Sequence, residues 1–142
     1  MAERERTPGS VVPVLVAALV CDAAVADPAS GKKNLIGIFD RVLVGRFPTA
    51  RPLFVYWKIT DAQGHYRIAV RIVHANRNRE IGRAEGEVDV IDRLLASDFL
   101  LQLPPIPFEE AGRYEFQIWM NDAYLGTAVV DAQVRPTEPG ES

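Results

Sequence analysis

Apolar and polar positions alternate with a period of two along most of this chain, and no stretch carries a long 3.6-residue apolar repeat with helix caps. In "RYEFQIWM" the positions Tyr114, Phe116, Ile118 and Met120 are apolar, while Arg113, Glu115 and Gln117 are polar. In "YRIAVRIVH" the apolar set is Tyr66, Ile68, Val70 and Ile72, which leaves Arg67 and Arg71 on the other face. The pattern predicts eight strands, over residues 14–26, 35–44, 53–60, 66–74, 83–90, 99–103, 113–120 and 124–134. Turn chemistry separates them in "DPASGKK", "DAQG", "NRNRE" and "ND". Pro48 and Pro52 lack ladder donors and predict a loop over "FPTARP", and "PPIPFEEAG" reads as a stiff loop. At most one helical turn fits, around residues 92–96. The first two strands are apolar on both faces, and the last changes phase near residues 128–130, where a bulge is expected. Short strands punctuated by turns predict an all-β fold, an antiparallel sandwich of about eight strands.

The 142 residues are 48% hydrophobic and 25% charged, ordinary for one globular domain. The domain is expected over residues 11–135, between polar, disordered tails at 1–10 and 136–142. Cys21 is the single cysteine, so no intramolecular disulfide forms and no multi-cysteine zinc site exists. "VVPVLVAALVCDAAVAD" resembles a signal-peptide core, but Glu3 and Glu5 cancel Arg4 and Arg6 ahead of it, and Pro13 and Asp22 interrupt it. It reads as a strand of the mature chain, and the expected location is the cytoplasm, with export as the alternative. The run is too short for a membrane span, so no membrane partner is expected.

Net charge is −3, yet residues 32–83 carry +8 and residues 84–142 carry −9. The basic half could face nucleic acid, or the halves could pair with each other. Folding the hairpin about Asn78 places Arg67 opposite Asp89 and Arg71 opposite Glu85, so the reading favours internal pairing over a nucleic-acid face.

"AGRYEF" spaces Gly112, Tyr114 and Phe116 as in the tyrosine corner of immunoglobulin-like sandwiches, with Phe116 where antibody domains hold a cysteine. Trp57 in "FVYWKI" resembles the core tryptophan of strand C. All four residues are read as structural. The segments "CDAAVADPASGKKNLIGIFDRV", "PLFVYWKITDAQGHY" and "LPPIPFEEAGRYEFQIWMNDAYLG" resemble a family of small uncharacterised bacterial proteins, a domain of unknown function, over about residues 14–134. That resemblance implies a β-sandwich and brings no activity with it.

No catalytic group stands at a diagnostic spacing, and no cofactor is assigned. "SGKKN" lacks the earlier Gly and the final Ser or Thr of a phosphate-binding loop, and His65 and His74 point to opposite faces of one strand. If the first two strands pair about "ASG", Asp22 falls near Asp40, and two facing carboxylates could bind Ca²⁺ or serve a small-ligand enzyme. The competing reading pairs Asp22 with a Lys or Arg. The leading expectation is a non-catalytic binding or assembly module whose partner is a protein or a second copy of the chain. Its contact residues would be Trp119, Gln117, Tyr56 and Lys58, placed on one outer face by assigning the third, seventh and eighth predicted strands to one sheet.

Overall fold

Strands form where the alternation predicts them, and the computed structural model describes them over residues 11–136. The readings of residues 1–10 and of the tail from residue 137 lie outside the described residues. The described strands are β1 (Val14–Ala26), β2 (Lys33–Phe39), β3 (Arg41–Val44), β4 (Thr49–Thr60), β5 (Gly64–His74), β6 (Arg79–Val90), β7 (Ser97–Phe108), β8 (Gly112–Met120) and β9 (Ala123–Val134). They build a four-stranded sheet, β2-β1-β4-β7, and a five-stranded sheet, β3-β9-β8-β5-β6. The fold is the expected all-β sandwich, with nine strands rather than eight. The strand predicted over 35–44 is two strands: a bend at Asp40 sends the chain from one sheet to the other. There the Asp131 amide donates to the Asp40 carbonyl (2.9 Å), and β3 runs parallel to β9.

Three further expectations are corrected. Thr49 to Pro52 belongs to β4, and Pro104, Pro105 and Pro107 lie within β7 rather than in a loop. Prolines are tolerated there because β7 is an edge strand and its ladder with β4 is irregular between Arg51 and Leu53. Residues 92–96 stay within the one turn allowed for them, in which the Leu95 amide donates to the Asp92 carbonyl (3.3 Å). The bulge of β9 falls at Leu125, since Ile118 faces Gly126 while Trp119 faces Tyr124.

The interior takes the apolar rows of both sheets. Leu53, Val55, Trp57 and Ile59 enter from β4, and Tyr114, Phe116, Ile118 and Met120 from β8, each at most 1% exposed. In strand neighbours, β9-β8-β5-β6 corresponds to the G-F-C-C′ order of an immunoglobulin variable sheet, and β4 beside β7 to the B-E pair. Trp57 is therefore a core residue of the B-like strand, not the C-like one. The C-like strand is β5, which pairs with β8.

Tyr114 forms the tyrosine corner. Its hydroxyl donates to the Glu110 carbonyl (2.7 Å), and its ring packs edge-on to Phe108 (4.8 Å) and against the buried His74 (4.6 Å). Gly112 turns into the strand at φ +142, and a Cβ there would sit 2.5 Å from Asn76 Oδ1. Removing the hydroxyl leaves the Glu110 carbonyl without its donor. Tyr114→Phe is expected to lower stability by about 1–2 kcal/mol in urea denaturation, with unchanged far-UV circular dichroism.

Candidate functional site

The outer row of β8 is Arg113, Glu115, Gln117 and Trp119, because the inner row fills the core. These side chains are joined along the strand. Trp119 Nε1 donates to Gln117 Oε1 (3.2 Å), the Gln117 amide to Glu115 Oε1 (3.1 Å), and Arg113 Nε to Glu115 Oε2 (3.3 Å). The "ND" turn has positive φ at both Asn121 (49°) and Asp122 (64°), the signature of a tight type I′ hairpin. It brings Tyr124 opposite Trp119, with ring centroids 5.3 Å apart. Arg71 from β5 places its guanidinium 5.4 Å from the Trp119 ring, and Glu80 holds it there (2.6 Å). Trp119 is half-buried between an aromatic ring and a cation, while Tyr124 is 52% exposed.

Tyr56 and Lys58 are not part of this patch. They project from β4, and β4 lies in the other sheet, between β1 and β7. The expectation failed because it made the Trp57 strand a neighbour of β8, a position that β5 occupies. Tyr56 instead donates to Asp98 Oδ2 (2.9 Å), and Lys33 Nζ sits 2.6 Å from Asp98 Oδ1. That second contact reveals a fold-over. Lys33 faces Ala26, whereas Asp98 lies across Lys58 from Ala17, nine residues back along β1. On a flat sheet the two would be about 30 Å apart. The β1–β2 hairpin must therefore leave the sheet beyond Cys21 and cross its outer face. Cys21, whose row faces outward with Phe54, is accordingly 0% exposed.

Asp22 and Asp40 are not brought together. The β1–β2 register pairs Val20 with Phe39 and Cys21 with Ile38, which sets Asp22 across from Gly37. Asp22 is ion-paired with Arg51, as the competing reading held. Among the described residues no group of three or more His, Cys, Asp or Glu side chains is arranged to hold a metal. His65 lies outside, beside Asp89 (2.7 Å) and Glu87 (3.1 Å), and His74 is buried.

The β5–β6 hairpin pairs in a different register from the expected one. Arg67 lies opposite Glu87, and Arg71 opposite Arg83. A 3-10 turn at Ala75–Arg77 with Asn78 in the left-handed region shortens the connection, and an irregularity at Ile72/Val73 shifts the ladder. The facing cations Arg71 and Arg83 share Glu80, at 2.6 and 2.9 Å. The two charged halves meet elsewhere, through Lys33–Asp98, Arg67–Asp122, Arg77–Glu110 and Arg79–Glu109.

Sequence reasoning missed Arg71 and Tyr124 as companions of Trp119. The Tyr124 position was legible, since a two-residue turn sets the pairing across it. It also missed a set of exposed aliphatics, among them Val25 (58%), Ile36 (56%) and Ile38 (55%), whose signal was the two-sided apolar pattern of the first strands. No described helix is long and apolar enough to cross a membrane.

The chain belongs to a family of unknown function, DUF6941, which it matches over residues 16–131. No curated protein matches it.

Burial pushes the Asp98 carboxyl up, but hydrogen bonds from Lys33 and Tyr56 outweigh burial and hold it below its ordinary value of 3.8. A depressed carboxylate contributes stability that is complete above 3.8 and disappears as pH falls through the lower folded value. Urea denaturation across the acid range should show this slope in the wild type and a shallower one in Asp98→Asn.

Proposed function

We propose that this family member is a non-catalytic binding or assembly module whose contact face is the outer side of the five-stranded sheet around Trp119. One observation carries the reading: Trp119 stands half-buried between Tyr124 and Arg71 at the end of an outer β8 row that is otherwise polar. Trp, Tyr and Arg supply most binding energy in protein interfaces. Here the indole is held by Gln117 and the guanidinium by Glu80, so little side-chain freedom is lost when a partner docks. The partner in this reading is a protein that lays an apolar surface over the two rings and hydrogen-bonds to the rim of Gln117, Thr127 and Glu115. A second copy of the chain is one version of it. Tyr56 and Lys58 have no part in the face, and Asp22 and Asp40 supply no paired carboxylates for the enzymatic alternative. Nucleic-acid binding is disfavoured because most basic side chains of residues 32–83 are engaged by carboxylates.

Immobilised wild type should retain at least one protein from its own cell extract that Trp119→Ala and Tyr124→Ala both lose. Truncating such a contact residue costs about 2 kcal/mol or more, roughly thirtyfold in affinity. Identical retention by all three, at unchanged melting temperatures, would end this reading. In the self-association version, sedimentation shows a wild-type dimer that Trp119→Ala dissolves; a monomeric wild type removes it.

A further inference from the structure

One part of the four-stranded sheet is joined to the rest by its base alone. β1 pairs with β4 from Val14 to Cys21 and no further, and β2 pairs only with β1. Residues 23–36 of this hairpin therefore belong to no ladder but their own. Among the described residues, Lys33–Asp98 (2.6 Å) is the one hydrogen bond that ties them to β4 or β7. The two side chains are 19% and 34% exposed, and the Tyr56 hydroxyl also holds Asp98 (2.9 Å).

The base of the hairpin carries a bend. Its pairing runs Cys21–Ile38 and then Ala23–Ile36, passing over Asp22 and Gly37. Gly37 has φ +70, a left-handed backbone inside a strand, and a Cβ there would sit 2.5 Å from Asp22 Oδ2. Asp22 is ion-paired with Arg51 of β4, which pins the bend to the sheet. Beside the bend lies a thiol. Cys21 is the last residue of β1 that pairs with β4, its row faces outward with Phe54, and it is 0% exposed. Burial raises the Cys21 pKa above its ordinary 9.0, and a hydrogen bond from the Ile36 backbone partly offsets the rise, so β2 itself reaches the thiol.

We propose that the β1–β2 hairpin is a hinged strap: residues 23–36 swing as one unit about Asp22 and Gly37, Lys33–Asp98 latches the closed position, and opening gives access to Cys21. The outer row of Phe54 and Tyr56 on β4 and Leu100 on β7, half-buried in the closed position, becomes accessible with it. Swinging breaks no ladder, because the hairpin keeps its own pairs from Ala23 onward and shares none of them with β4. A motion of that kind belongs to the low-cost end of local opening, well below global unfolding. It is independent of the Trp119 face, which belongs to the other sheet.

Cys21 is the single cysteine, so the reaction of the full chain with an aromatic disulfide reagent reads the strap. Each rate is taken relative to that of the same chain unfolded in urea. In the wild type it should be slow and nearly flat in urea below the unfolding transition, since opening exposes little surface. Asp98→Asn and Lys33→Gln should each speed it about tenfold, the effect of losing one charged hydrogen bond. Tyr114→Phe, which weakens the whole fold, should leave it unchanged. A thiol that reacts only along the slope of global unfolding overturns the proposal. So does Tyr114→Phe labelling as fast as the latch variants, or latch variants that label no faster than the wild type. Lys33→Gln keeps the Tyr56–Asp98 bond and decides the matter even if Asp98→Asn fails to fold.

Discussion

Two sheets share one close-packed interior, and every strand must send alternate side chains into it. The rest of the molecule follows from that constraint. Trp57 and Ile59 from one sheet and Phe116 and Ile118 from the other belong to one buried cluster, and Tyr114 closes one end by bonding the Glu110 carbonyl. Because the side-chain period is two, filling the interior also dictates what stands outside. Phe116, Ile118 and Met120 occupy the inner positions of β8, so Trp119 has no inner position left. It is outside by parity, and Tyr124 and Arg71 gather around it because outward positions on neighbouring strands face one another.

The bend at Asp40 is the second organising event. It divides one apolar stretch between two sheets, so that β2 finishes the four-stranded sheet and β3 begins the five-stranded one. The β1–β2 hairpin then extends beyond the region where β4 accompanies β1, and it folds across the outer face until Lys33 meets Asp98. Asp98 there also accepts from Tyr56, Cys21 is buried, and Val25, Ile36 and Ile38 stand exposed. An apolar pattern on both faces of a strand ordinarily marks a position covered on both sides. In β1, central in its sheet, the hairpin covers part of the second face. In β2, at the edge, the second face is open.

Much of this was legible in the chain. Strand positions in β5, β8, β9 and β4 from Leu53 onward followed from alternation, that of β1 from its apolar run, the "ND" hairpin from the two residues that tolerate positive φ, and the tyrosine corner from the spacing of Gly112, Tyr114 and Phe116. Errors gathered where neighbours had to be chosen. Proline argued for loops at Pro52 and at Pro104 to Pro107, yet β7 is an edge strand that accepts its prolines, and Pro52 of β4 lies beyond the β1 pairing, which ends at Phe54, where the ladder to β7 is irregular. The hairpin at Asn78 kept its facing and lost its register, since a 3-10 turn and one irregularity move each pair without turning any side chain over.

By itself, then, the sequence determined which residues alternate inward and which local turns join consecutive strands, for these depend on backbone geometry and solvation within a few residues. Only the tertiary structure decided which strands lie side by side. It set Arg71, rather than Tyr56 and Lys58, beside Trp119, separated Asp22 from Asp40, and laid the β1–β2 hairpin over its own sheet. Those pairings join residues tens of positions apart, and they are settled by how the two sheets close around one interior.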